Sequence, residues 1–197
     1  MAINVNVSLF QLLNVVDSCA IWNLLSSARL YSSARNARCH FCCTAFVKYE
    51  CLVKPRSVFK RYDQAIQQIF RTENSSGRFD DFPLEIDDLR RVELLRRRRN
   101  LSMGELSSIA FALKTDQAFY TDDQKARVLA ADIIGKDRVQ TTPHLFGWMI
   151  FAGHLGDSDK ATILSEHKSL SHGELVQHFE EMYLEALRCR LMTREQQ

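Results

Sequence analysis

Apolar residues recur at i, i+3, i+4 and i+7 through Leu106, Ile109, Ala110 and Leu113, so residues 106–113 read as a helix with one apolar stripe and Glu105 in its first turn. Ala118-Phe119-Tyr120 then reads as a brief buried strand. Thr121-Asp122-Asp123 ends it where a further helix begins, with Ala126, Leu129, Ala130 and Ile133 on one face. Upstream, Leu12-Leu13-Asn14-Val15-Val16 predicts a buried strand ending at Asp17. Ser18 is positioned to cap the next helix, which carries Ile21, Trp22, Leu24 and Leu25, and the polar stretch 26–38 returns the chain. Cys39-His40-Phe41-Cys42-Cys43 predicts a second strand, and Thr44 is the N-cap of a helix with Ala45, Phe46, Tyr49, Leu52 and Val53, stopped by Pro55. Residues 57–71 form a further amphipathic helix, Asn74-Ser75-Ser76-Gly77 a loop, and Phe79 and Phe82 mark another strand. Pro83 or Leu84 opens a charged helix through Arg99, with Leu84, Leu89, Val92 and Leu95 facing inward. A last short strand falls at Arg138-Val139-Gln140-Thr141. Thr142-Pro143 then caps and opens a helix to Gly153, Asp157 or Ser158 caps another, and 171–192 is a final amphipathic helix.

Strands separated by helices throughout predict an α/β fold: a three-layer α/β/α sandwich around a central, mostly parallel sheet. The expected organisation is one domain over residues 1–155 with a C-terminal helical extension, 156–197, packed on the same domain. Right-handed crossovers bring the carboxyl ends of the strands to one edge, where open α/β sheets collect their ligands.

Composition adds little until the charges are placed. With 197 residues, 46% of them hydrophobic, the chain has enough material for a real core, and a net charge of +2 does not by itself imply nucleic acid. The apolar stretch from Ser8 to Ala28 has no basic residue before it and is interrupted by Asn14, Asp17 and Asn23, so neither a secretion signal nor a membrane span is expected. A cytoplasmic protein with six reduced cysteines follows as the expectation.

The acids change the picture. On the parallel-sheet reading Asp17, Glu105, Asp122 and Asp123 share this carboxyl edge, and Glu50 comes from a helix that can point toward it. Taken singly, Asp17, Glu105 and the Asp122-Asp123 pair read equally well as helix caps or as partners of a helix dipole. Glu50 is more telling, because a mid-helix acid between Tyr49 and Cys51 has no capping role. Carboxylates gathered within a few Å repel one another, and a divalent cation resolves the repulsion. Oxygen ligands without His or Cys suit Mg²⁺ or Mn²⁺ over zinc. Cys39-x-x-Cys42, with Cys43 and His40, lacks a second ligand pair, and alternation along a strand sends its members to opposite faces, so these read as core cysteines. The run Arg96-Arg97-Arg98-Arg99 reads as a solvated helix end. Lys48, Lys125 and Arg127 lie near the acids and are candidate contacts to RNA phosphate.

Together, Val15-Val16-Asp17-Ser18, Glu50 after the second strand, Gly104-Glu105 opening an Ile/Ala/Leu helix, and Tyr120-Thr121-Asp122-Asp123-Gln124-Lys125-Ala126-Arg127 make a pattern that resembles the PIN-domain nucleases. The resemblance covers residues 10–155, roughly three quarters of the chain, and is strongest from Leu101 to Asp132. It implies a Mg²⁺- or Mn²⁺-dependent endoribonuclease acting on single-stranded RNA, and a VapC-like toxin paired with an antitoxin protein is one branch of that family. Carried over by position, Asp17, Glu50, Glu105 and Asp123 are the implied catalytic, metal-holding acids, with Asp122 a further metal ligand and Thr121 orienting the site. The chain departs from the usual family pattern in having glutamate as the third acid and in its helical segment from Asp157 to Gln197. Two rival expectations stand beside this one: a nuclease of RNA processing outside any toxin pair, and a non-catalytic interaction module of the same fold. A homodimer burying apolar helix faces is compatible with each.

Overall fold

The computed structural model describes residues 6–55, 61–96, 101–170 and 175–194. Five short strands, β1 (Leu13–Val16), β2 (His40–Thr44), β3 (Asp80–Phe82), β4 (Ala118–Tyr120) and β5 (Val139–Gln140), form one wholly parallel sheet in the order β3-β2-β1-β4-β5. β1 lies in the middle, with Val15 in register with Cys42 of β2 and Phe119 of β4. Ten helices connect and cover the strands: α1 (Ser18–Leu25), α2 (Ala28–Asn36), α3 (Ala45–Leu52), α4 (Arg61–Ser75), α5 (Ile86–Arg96), α6 (Met103–Thr115), α7 (Gln124–Ile134), α8 (Thr142–Phe151), α9 (Asp157–Leu170) and α10 (Val176–Arg194) among the described residues.

Alternation along the central strands sorts the core into two layers, as a sheet buried on both faces requires. Val16, Phe41, Cys43 and Tyr120 point into one layer with Ile21, Leu24, Val47, Phe70, Phe146 and Phe179. Val15, Cys42 and Phe119 point into the other, against Val92, Leu106, Ile109, Ala110, Ala126 and Leu129. Helices α5, α6 and α7 therefore cover one face and the remaining helices contribute to the other, giving the three-layer sandwich the sequence predicts. Cys39 and Cys43 fall in one layer, Cys42 in the other, and His40 is exposed, so the four do not share a face. None of the six cysteines is in a disulfide, and burial pushes the Cys39 and Cys42 thiols up to about 12.

The C-terminal helices belong to the same core. Ile163, Phe179 and Ala186 are fully or almost fully buried, and the Phe146 and Phe179 rings meet edge-on with centroids 5.3 Å apart. Among the described residues no helix is long and apolar enough to cross a membrane. His167 of α9 sits in this layer, its Nδ1 2.7 Å from the Ser26 hydroxyl, and desolvation holds its imidazole down at about 4. A depressed histidine stays neutral in the fold while the unfolded chain takes up a proton below its ordinary value near 6.5, so its contribution is lost as pH falls. Between pH 6.5 and 4 the natural chain is expected to lose about 3 kcal/mol more stability than a His167→Gln variant, measured by urea unfolding.

Several boundaries differ from the sequence expectation, each for a local reason. The stretch 26–38 is not simply a return loop: Ser27 caps α2, and Leu30, Tyr31 and Ala34 bury a narrow stripe that the surrounding serines and arginines conceal. Helix α1 is capped by Asp17 rather than Ser18, and α8 by Thr141 rather than Thr142. The second strand ends one residue later, with Thr44 serving both as its last residue and as the cap of α3. α4 runs on to Ser75, into the expected loop, and α5 opens at Ile86 rather than at Pro83 or Leu84. Residues 57–60, 97–99 and 171–174 of the expected helices lie outside the described residues, and Leu89 and Leu95 lie where side chains are not described.

Candidate active site

In the order β3-β2-β1-β4-β5 the connections diverge on either side of β1, so the carboxyl ends of β1 and β4 flank the crevice where an open α/β sheet takes its ligand. Asp17 follows β1 and Thr121-Asp122-Asp123 follows β4. The sheet's hydrogen bonding reaches past the strand ends to fix both: the Asp17 amide donates to the Tyr120 carbonyl at 3.2 Å, and the Thr121 amide to the Gln140 carbonyl at 2.9 Å.

Asp17 is completely buried. One carboxyl oxygen caps α1 by accepting from the Ala20 amide at 2.8 Å, and the other accepts from the Thr121 hydroxyl. Thr121 Oγ1 in turn accepts from the Asp123 amide at 3.1 Å, and Asp123 caps α7 through the Ala126 amide at 2.9 Å. Thr121 thus ties the two strand ends together.

Glu105 closes a capping box at the start of α6. Its carboxylate accepts from the Ser102 amide at 2.6 Å, while Ser102 Oγ accepts from the Glu105 amide at 3.1 Å. Glu50 reaches across from α3, one oxygen accepting from the Gly104 amide at 3.2 Å and the other from the Ser18 hydroxyl at 3.1 Å. This placement of Glu50 uses the absence of a side chain at Gly104: a Cβ there would lie 2.3 Å from a Glu50 carboxylate oxygen. Asp122 turns to a different task. It accepts from the Thr142 amide at 2.8 Å, the Thr142 hydroxyl at 2.6 Å and Asn23 Nδ2 at 2.9 Å, and so joins α1 to the start of α8.

The acids act on one another. Burial drives the Asp17 carboxyl up to about 8, only partly opposed by its bonds to Thr121 and Ala20, and the charges of Asp122 and Glu105 push the same way. Burial also raises Glu105, with the charges of Asp123 and Glu50 adding to it. Asp122 is raised by burial against its bonds to Thr142 and Asn23 and against the nearby Arg127. Of the candidate cations, Lys48 is held by Asp81 at 2.8 Å and Lys125 is exposed. Arg127 carries a buried Nε with no hydrogen-bond partner among the described residues.

The predicted acids thus lie along one edge and within electrostatic reach. Among the described residues, however, no group of three or more His, Cys, Asp or Glu side chains stands arranged so that it could hold a metal ion. Each predicted acid instead commits at least one carboxylate oxygen to a cap or a cross-link, and Asp17, Glu50 and Asp122 commit both. Sequence reasoning missed the residues that make those links. Ser18 serves Glu50 rather than capping α1, and Asn23 and Thr142 hold Asp122. The signal for Thr142 was its place at a helix start, where its free amide seeks an acceptor. No protein family, curated protein or solved structure matches this chain.

Proposed function

We propose that the chain is a divalent-metal-dependent endoribonuclease of PIN-domain type that cleaves single-stranded RNA. The observation that carries this reading is Asp17, a fully buried acid at the end of the central strand whose charged neighbours Asp122 and Glu105 share its sign. An acid so placed is costly to ionise unless a cation joins it. The donor set is all carboxylate and hydroxyl, and Mg²⁺ characteristically takes one or two carboxylates and keeps its waters rather than filling an all-protein cage. Asp17 and Glu105 are the residues that would hold the ion, with Asp123 and Glu50 beside them. When bound, Mg²⁺ or Mn²⁺ supplies charge neutralisation at the scissile phosphate and acidifies the attacking water. Thr121 fixes the Asp17 carboxyl, and Gly104 and Ser18 fix Glu50.

The test is cleavage of single-stranded RNA in Mg²⁺ or Mn²⁺ against chelator, with single-stranded DNA alongside. Activity that needs the metal and disappears in Glu105→Gln supports the reading; metal-independent activity, or none, removes it. The raised Asp17 carboxyl adds a second expectation. Below about pH 8 a cation must displace its proton, so Mn²⁺ affinity is expected to rise by about tenfold per pH unit between pH 6 and 7.5, with release of about one proton by calorimetry in two buffers.

One observation favours a second reading. The lack of a ready metal-holding group among the described residues suits an interaction module of the same fold that performs no chemistry. Such a module binds no Mn²⁺ in the same calorimetric experiment.

A further inference from the structure

Between α3 and the start of α6 lies an open cavity of about 550 Å³ lined by Phe46, Tyr49, Lys54 and Met103, and on the wall it shares with the acids by Glu50 and Ser102. We propose that this cavity is a nucleobase subsite, seating a base of the RNA strand next to the scissile phosphate; it rests on the nuclease reading for that adjacency.

Four observations carry it. Phe46 and Tyr49 stand three residues apart on α3 and present aromatic surface on one face, and Tyr49 is 50% exposed, unusual for so large a ring beside apolar neighbours. Aromatic faces accept any base by stacking, and single-stranded RNA, whose bases are free to splay out, is the nucleic acid that uses them. Met103, on α6, adds a polarisable thioether to the lining. The volume lies in the range of pockets that enclose small ligands, and the lining is largely apolar with few polar groups to orient an occupant.

Charge and continuity decide the occupant. Lys54, exposed at the cavity, offers a cation to the backbone phosphate, and the Glu50 carboxylate, whose two oxygens each accept one bond from Ser18 or Gly104, keeps its remaining lone pairs for an exocyclic amino group. The same Glu50 is held by Ser18 and Gly104 at the acid edge, and the Ser102 amide binds Glu105. One wall of the cavity is therefore the back of the candidate active site. A partner protein's apolar side chain would leave both the cation and that shared wall without purpose.

The experiment is fluorescence anisotropy of a labelled single-stranded oligoribonucleotide with the full chain in chelator, so that cleavage does not intervene, beside the same oligomer with abasic riboses. Tyr49→Ala is expected to weaken binding by about tenfold, Tyr49→Trp to restore it, and the abasic oligomer to bind the natural chain as weakly as intact RNA binds Tyr49→Ala. In Mg²⁺ the Tyr49→Ala variant should show a raised KM with kcat held. Equal binding by Tyr49→Ala, equal binding of the abasic oligomer, or no RNA binding by the natural chain each overturns the subsite. The two readings fail separately. Metal-dependent cleavage with unchanged Tyr49→Ala binding removes the subsite and leaves the nuclease. Base-dependent binding without cleavage leaves the subsite and removes the catalysis.

Discussion

Asp17→Asn is expected to lose metal-dependent RNA cleavage by roughly 10³-fold while becoming more stable than the natural chain at neutral pH. Both effects have one cause. The native carboxyl keeps its proton to about pH 8, whereas the unfolded chain loses it near its ordinary value of about 4. Between those values the native state binds more protons than the unfolded state, so this residue's contribution to stability falls as pH rises. At pH 7 the penalty is on the order of 4 kcal/mol, and about 2 kcal/mol of the decline falls between pH 6.5 and 8. That upper window is the clean one, because His167 and the buried His144, both held below the ordinary histidine value by desolvation, contribute their opposite slope only at lower pH. Asparagine keeps the cap on the Ala20 amide and places a neutral amide against Thr121 Oγ1, so the variant should unfold in urea with a midpoint nearly flat over pH 6.5–8. A stabilised but inactive variant is what distinguishes a site held under electrostatic strain from an ordinary helix cap, whose loss lowers stability.

Gly104→Ala is expected to cost cleavage by roughly 10²-fold with little change in thermal midpoint. A methyl group there meets Glu50 Oε2 at 2.3 Å and its carboxyl carbon at 2.8 Å, and no backbone atom of another element stands among its nearest neighbours. The far end of a flexible side chain is what must give way, so Glu50 leaves Gly104 and Ser18 while the helix, relieved of a glycine, gains slightly in propensity. Steady-state cleavage beside differential scanning fluorimetry reads both halves. A variant that melts early would place Gly104 in the packing of α6, and one that stays active would show that Glu50 has no part in the reaction.

The fold was largely legible because its strands are short, apolar and bracketed by residues whose chemistry marks an end. Asp17, Thr44, Asp123 and Thr141 each occupy the joint between a strand and the next helix, and each caps that helix. Those joints show in the sequence as a polar residue after a β-branched or aromatic run. α2 escaped because its buried face is only Leu30, Tyr31 and Ala34 with Ser33, too narrow a stripe among serines and arginines to show a period. The candidate site was legible in part as residue types at strand ends, Asp17 after β1 and Thr121 to Asp123 after β4, since the parallel topology sends those ends to one edge, while Glu50 and Glu105 reach it from helices α3 and α6. What the sequence did not contain was the direction of each carboxylate. Asp122 and Asp123 are adjacent, yet one cross-links α1 to α8 through partners 20 and 99 positions away and the other caps α7 through Ala126, three positions on. Glu50 was singled out for lacking a capping role, and its actual role rests on Gly104 and Ser18, whose significance appears only when α3, α6 and α1 meet.

The central claim is that the acid edge of the sheet accepts a divalent cation, and an Mn²⁺ soak of crystals of this protein above pH 8 tests it most directly. The account predicts an anomalous peak at the carboxyl ends of β1 and β4 within coordination distance of Asp17 or Glu105, with water completing its shell. Crystals that bind Mn²⁺ elsewhere or not at all, with Asp17 still bonded to Thr121 and Glu50 still on Gly104, would contradict it.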